Sequence, residues 1–251
     1  MDSGKTVRMN RILAPDGRTV IVALDHAIAG ISPLGALERP GDLIAQVIAG
    51  GADAILVTPG MARRYADLFG DTGLIVRADA GPTALTGQWQ KTQVALEVED
   101  ALRLGADGVI AMGIVGAEGE SASLLGLERL ASYCDRWGLV MVAEMLPRGL
   151  TASEVALDDI VIAARLGAEL GADLVKIRFA GGAGEDFRAV TSACYQSIVI
   201  LGGSKQTADQ LVAQVRLALA AGAVGAAVGR NIWQHPEPQS VTRALVEAVH
   251  G

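Results

Sequence analysis

One lysine stands out for its surroundings. Lys176 sits in Leu174-Val175-Lys176-Ile177, near the end of a short apolar run that reads as a strand. Side chains alternate along a strand, so Leu174, Lys176 and Arg178 share one face. If Val175 and Ile177 face a helix layer, Lys176 faces the opposite side, toward an interior. An ordinary lysine, with a pKa of about 10.4, is a poor nucleophile at neutral pH. Desolvation or a nearby cation lowers such a value. Arg178 or Lys205 could supply that cation. A neutral amine can attack a ketone to give an imine, which then serves as an electron sink. The position also suits a lysine that snorkels to a rim, and pattern alone does not separate the two.

Other candidates stand at the ends of apolar runs. Asp25 and His26 follow the first, Arg77 and Asp79 the third, and Glu144 ends Val140-Met141-Val142-Ala143-Glu144. Asp25 and Glu144 can move protons or bind a substrate hydroxyl. Equally, Asp25 can cap a loop or pair with a lysine, and Glu144 can pair with Arg148 or Arg178. His26 reads as a structural group or substrate contact. Asp25, Asp79 and Glu144 lack local ligand spacing, so neither metal nor cofactor is expected. Gly202-Gly203-Ser204-Lys205 and Gly229-Arg230-Asn231 each combine glycine with a cation. Glycines let backbone N–H groups approach a phosphate, and the helix starting near Thr207 adds its positive end. Both clusters also fit plain tight turns.

These residues need a frame, and an internal repeat supplies one. Gly-Ala followed by an apolar run occurs at Gly51–Val57, Gly105–Ile110 and Gly171–Ile177, with a looser copy at Gly222–Val228. Each glycine reads as a helix C-cap leading into a buried strand. Thr19–Leu24, Gly73–Arg77, Leu139–Glu144 and Ser197–Leu201 complete eight strand candidates. Helical segments separate most of them. The clearest is Thr207–Ala221, opened by a Thr207–Gln210 capping box. The segment Asp79–Gln93 reads as an elongated loop. The expected fold is α/β, a single (β/α)8 TIM barrel spanning residues 1–251, with a doubly wound open sheet as the other possibility. Barrel chemistry sits at the C-terminal ends of strands, and the loops after strands seven and eight commonly bind phosphate.

Composition sets limits. The 251 residues are 51% hydrophobic but only 4% aromatic, with 31 glycines, which suits a parallel sheet under closely packed helices. A net charge of −7 argues against a nucleic-acid partner. Cys134 and Cys194 form no CxxC pair. The polar start MDSGKTVRMN does not read as a signal peptide, and no apolar run approaches the ~18 residues of a membrane span. A cytoplasmic protein without a membrane partner is expected.

Leu24-Asp25-His26, Leu174-Val175-Lys176, Gly202-Gly203-Ser204-Lys205 and Gly229-Arg230-Asn231-Ile232-Trp233-Gln234 occur in that order. From about Lys5 onward the chain resembles class I aldolases of the archaeal-type fructose-bisphosphate aldolase group. That group lies within the wider family that includes deoxyribose-phosphate aldolase. The resemblance implies an imine at Lys176, with Asp25 meeting the imine or a substrate hydroxyl. It implies a phosphate held by Gly202, Gly203, Ser204, Lys205, Gly229 and Arg230; His26, Arg148 and Arg178 are further candidate substrate contacts by their place at strand ends. Small phosphorylated keto and aldehyde substrates and a homo-oligomer are also implied. One departure matters. The group carries a proton-transferring tyrosine in a Tyr-Pro-Arg-Gly motif, where this chain has Leu146-Pro147-Arg148-Gly149. Either another group does that work, with Glu144, two residues earlier, as the first candidate and Asp25 and His26 as alternatives, or the substrate and reaction differ. The reactions left open are an isomerase or epimerase, thiolase-like acyl transfer on a phosphorylated diketone, and a non-catalytic phosphometabolite-binding barrel.

Overall fold

In the computed structural model, which describes residues 3–26, 34–86, 91–149, 152, 154–180 and 184–251, eight parallel strands close into a barrel. They are β1 Thr19–Ala23, β2 Ala54–Val57, β3 Gly73–Arg77, β4 Gly108–Val115, β5 Val140–Pro147, β6 Leu174–Arg178, β7 Ser197–Leu201 and β8 Gly225–Val228. Each pairs with its neighbours in sequence, and β8 closes on β1 through Thr19↔Gly225 to Val22↔Val228. The open-sheet alternative is thereby excluded.

The Gly-Ala repeat has a physical cause. Gly51, Gly105, Gly171 and Gly222 all have positive φ, between 80° and 104°, where a side chain would be strained. The aspartate that follows in three copies ties the strand it opens to the preceding strand. Asp53, Asp107 and Asp173 accept from the backbone N–H groups of Val20, Leu74 and Met141 at 2.6, 3.0 and 2.8 Å. Cations cover the same aspartates from the foot of the barrel. Helix α1 (Ser3–Ile12) brings Lys5 within 3.1 Å of Asp173 and Arg11 within 3.2 Å of Asp107. His250, at the end of the last helix (Pro238–His250), reaches Asp53 at 3.0 Å and Asp16 at 2.8 Å. The fourth copy has Val224 in place of the aspartate.

Inside the barrel Ile12, Ile21, Leu56, Ile75, Ile110, Val142 and Leu174 form an apolar plug. Burying each contributes on the order of 1.5–3 kcal/mol. A second apolar layer fills the space between strands and helices. A Cβ added at Gly113 would meet Met145 and Leu127, so Gly113 and Met145 face the helices. The alternate residues Met112 and Glu144, which pair in register, therefore face the interior.

Two expectations change. The fifth strand runs through Pro147 instead of stopping near Glu144, because β4 is long enough to pair with it up to Val115↔Pro147. The Asp79–Gln93 segment is more than a loop, since Asp79–Ala80 pairs antiparallel with Gln93–Val94. Thr92 secures this ribbon by donating to Asp79 at 2.5 Å, and residues 87–90 lie outside the described ones. The capping box is present: Gln210 N–H donates to Thr207 Oγ1, and Thr207 N–H to Gln210 Oε1.

Candidate active site

Above the apolar plug the interior becomes charged. Register places Glu144 of β5 directly beside Lys176 of β6. Lys176 Nζ lies 2.6 Å from Glu144 Oε1, and both residues are buried. The other oxygen, Oε2, accepts from Arg77 Nη2 at 2.5 Å. Arg77, the last residue of β3, is the hub of the cluster. Its Nε donates to Asp25 Oδ2 at 2.7 Å, and Nη2 lies 2.6 Å from that same oxygen. Its Nη1 donates to Asp79 at 3.1 Å. Three carboxylates thus surround two cations in a nearly solvent-free space, where unpaired charge would be costly.

Burial alone would raise the pKa of Glu144, but Lys176 and Arg77 outweigh it and hold that carboxyl well below the usual range. The Asp25 carboxyl follows the same logic: burial pushes it up, and Arg77, His26 and Lys176 bring it down. Burial also works on Arg77, yet its three carboxylates keep its pKa well above the ordinary value. His26 goes the other way. Burial depresses its pKa more than Asp25, 3.5 Å away, raises it, so the imidazole is neutral at pH 7. Its ring stands edge-on to Trp233, with centroids 5.5 Å apart.

The two glycine clusters form one rim. Asn231 Nδ2 donates to the carbonyls of Gly202 and Ser204 at 2.8 and 3.1 Å, while its Oδ1 accepts from the Gln206 N–H at 3.0 Å. Arg230 donates to the Gly203 carbonyl at 3.2 Å. Gly203 has φ +65°, a left-handed conformation that favours glycine. Ser204, Lys205 and Arg230 are exposed at the mouth. The rim meets the charged cluster at Gly229. A Cβ there would come 2.1 Å from His26 Cε1, so only glycine lets the histidine lie against this loop.

Of the expected residues, Lys176, Glu144, Asp25 and His26 converge, and Gly202, Gly203, Ser204, Lys205, Gly229 and Arg230 line the adjoining rim. Two stand apart. Arg148, a non-glycine residue at φ +62°, makes a bidentate pair with Asp159 at 2.8 and 2.9 Å. Arg178 donates to the Ala152 carbonyl at 2.8 Å, so the cation sharing Glu144 with Lys176 is Arg77 instead. Arg77 was visible only as a charged strand end, and its role needed the barrel. Asn231 lay inside a recognised motif but carried no assigned task. Thr92 had no signal at all.

Residues 19–235 match the family model of the DeoC/LacD aldolases. The chain is 36% identical to the 2-amino-3,7-dideoxy-D-threo-hept-6-ulosonate synthase of Halobacterium salinarum, over 99% of this chain and 92% of that protein. It is 32% identical to the 2-amino-4,5-dihydroxy-6-oxo-7-(phosphonooxy)heptanoate synthase of Streptomyces griseus, over 98% of this chain and 90% of the relative. Among solved structures it superimposes on an archaeal fructose-1,6-bisphosphate aldolase whose catalytic lysine is covalently bound to the carbinolamine intermediate of the substrate. The TM-score is 0.87 at 30% identity, covering 98% of this chain and all of the other.

Proposed function

The chain belongs to the DeoC/LacD aldolase family and is a class I aldolase, and from that premise we propose that it makes or breaks a C–C bond in a phosphorylated keto compound through an imine at Lys176, with Glu144 moving the proton. The observation that carries this reading is the 2.6 Å contact between Lys176 Nζ and Glu144 Oε1. A carboxylate at that distance can accept the proton that must leave the ammonium before the nitrogen attacks. The amine adds to the ketone, and the carbinolamine loses water to form an iminium ion. In the cleavage direction a base takes the proton of the β-hydroxyl as the C–C bond breaks. The electron pair passes into the enamine and an aldehyde departs. Protonation of the enamine and hydrolysis release the ketone and restore Lys176. In the synthetic direction the enamine attacks an aldehyde.

In this reading Asp25, whose Oδ2 shares Arg77 Nη2 with Glu144 Oε2, would meet a hydroxyl of the bound substrate. The rim of Gly202, Gly203, Ser204, Lys205, Gly229 and Arg230 is the phosphate site in this reading. Backbone N–H groups, Lys205 and Arg230 would meet the anion there. The Streptomyces griseus relative is named for a product with a phosphonooxy group beside an oxo group, which fits a keto-phosphate. Leu146 is buried on the same strand face as Glu144 and cannot transfer a proton. This leads the reading away from fructose 1,6-bisphosphate as the assumed substrate. Our reading also takes the enzyme to be a cytoplasmic homo-oligomer. Tyr133 and Trp137, one turn apart on an outer helix and both largely exposed, are apolar surface that association would cover. Among the described residues no helix is long and apolar enough to cross a membrane.

The test is chemical trapping. The protein is incubated with dihydroxyacetone phosphate and a panel of related ketone phosphates, reduced with borohydride, and mapped by peptide mass. A reduced adduct on Lys176 is expected, and Lys176→Arg should abolish both adduct and turnover while retaining the charge. A folded enzyme that gives no adduct anywhere in the panel, or an arginine variant that still turns over, would overturn the reading.

A further inference from the structure

We propose that Arg77 is a positioning residue that divides the work of the two Glu144 oxygens, holding Oε2 so that Oε1 alone exchanges a proton with Lys176. The inference rests on the proposed imine at Lys176 and goes beyond it by naming what makes Glu144 a usable base there.

The geometry is specific. Glu144 Oε2 is held by Arg77 Nη2 and Oε1 by Lys176 Nζ, so the carboxylate is pinned at both ends and cannot swing. Arg77 is itself fixed by two further anchors, Asp25 through Nε and Asp79 through Nη1. Asp79 is fixed in turn by the Thr92 hydroxyl. A planar guanidinium can satisfy three carboxylates at once, whereas an ammonium ion is a single point charge. Among the described residues, the charged and titratable groups of the cluster around Glu144 are Asp25 and His26 after β1, Arg77 and Asp79 at the end of β3, and Lys176 on β6, with Arg230 beyond β8 acting on His26.

The proton balance follows. An N–H bond of the Lys176 ammonium breaks and an O–H bond forms at Oε1, leaving a neutral amine. The amine attacks the carbonyl carbon, and the nitrogen passes a proton to the new oxyanion to give the carbinolamine. Its hydroxyl departs with the proton held at Oε1, so water and iminium form and Glu144 returns to carboxylate. Arg77 keeps protonated Glu144 a strong acid, ready to give the proton back. Without Arg77, three carboxylates would share one lysine, and protonated Glu144 would persist into the working pH range.

The experiment follows the pH dependence of turnover and of borohydride trapping in wild type, Arg77→Gln, Arg77→Lys and Asp79→Asn. Wild type should be flat on the acid side as far as the fold survives. Arg77→Gln should acquire a new acid limb, with a fall of about tenfold for each pH unit below its midpoint. Arg77→Lys should show the same limb at lower pH. Asp79→Asn cuts the tie between β3 and the ribbon but leaves Arg77 on Glu144, so it should show no such limb. If Arg77 only braced the strand end, Asp79→Asn would reproduce the Arg77→Gln profile, and that result overturns the proposal. So does an unchanged profile in both Arg77 variants, or loss of the fold in both, which would assign Arg77 to the core. Failure of the underlying reading looks different, because wild type itself would then give no Lys176 adduct.

Discussion

Glu144 and Lys176 face each other across adjacent parallel strands, with Oε1 and Nζ 2.6 Å apart. Their pairing is a matter of register: Met145 and Ile177 pair next along the strands, on the helix-facing side. A shift of one residue in either strand would turn one member of the pair out of the barrel. The relationship is therefore built into the β5–β6 ladder and does not depend on a mobile loop.

Glu144→Gln should separate binding from chemistry. The amide keeps the shape and can still accept from Lys176 or Arg77, but it cannot take up a proton. Turnover should fall by about 10²–10⁴-fold, the usual contribution of a positioned acid–base group. A keto-phosphate should still bind, because the proposed anion site lies on the β7–β8 rim. Steady-state kinetics with a separate measurement of ligand affinity checks both parts, and a glutamine variant with near-normal turnover would remove Glu144 from the proton path.

Asn231→Ala should loosen the rim while leaving the charged cluster intact. The carbonyls of Gly202 and Ser204 each lose a donor, and the Gln206 N–H loses its acceptor. The Gly202 carbonyl keeps the Gln206 Nε2 donor at 3.2 Å, and the other two groups are only part-buried, so the loss should be about 1–2 kcal/mol in all, and each kcal/mol should lower Tm by roughly 2–4 °C in a chain of this size. The affinity for inorganic phosphate and the KM for a phosphorylated substrate should worsen more than kcat. Calorimetry and kinetics on the same preparation would show whether the loss falls on KM.

Stability should depend on pH at both ends of the scale, for opposite reasons. Asp25 and Glu144 titrate lower in the folded protein than in the unfolded chain, where such groups have pKa values of about 4. Their contribution is complete above that value and is lost as pH falls through the folded values. His250 titrates higher in the folded protein. Burial opposes this shift, but hydrogen bonds to Asp16 and Asp53 outweigh it. Its contribution is complete below about pH 6.5, the unfolded value, and is lost as pH rises through the folded one. His250→Gln should therefore flatten the alkaline side of the Tm–pH curve; on the acid side it should remove only what His250 lends to Asp16, leaving the Asp25 and Glu144 contributions in place. In the wild type, hydrogen exchange of the final helix should quicken across the same alkaline window.

Much of this architecture is legible in the chain because the repeat is local. Gly51, Gly105 and Gly171 each stand just before the aspartate that latches the sheet, so a short window reveals both cap and strand. Lys176 was legible because an apolar strand gave it no local reason to be there. Arg77 was not, because its partners Asp25 and Glu144 lie 52 and 67 residues away. Nothing in Leu-Ile-Val-Arg distinguishes a hub from a strand-end cation until the barrel closes. The ribbon at Asp79–Ala80 escaped notice for a related reason: its pairing depends on Thr92, across a segment whose Gly, Thr and Gln content reads as loop.

Ile12 has a consequence for traffic. It is fully buried at the foot, where α1 crosses beneath the strands, and it belongs to the same apolar plug as Ile21 and Leu174. Among the described residues, the charged cluster is thus closed off at the foot. Water, substrate and exchangeable protons all arrive by way of the mouth, and a ligand seated there stoppers it. In the proposed reaction, the protons passed between Lys176, Glu144 and the substrate would then exchange with bulk solvent only by way of the mouth.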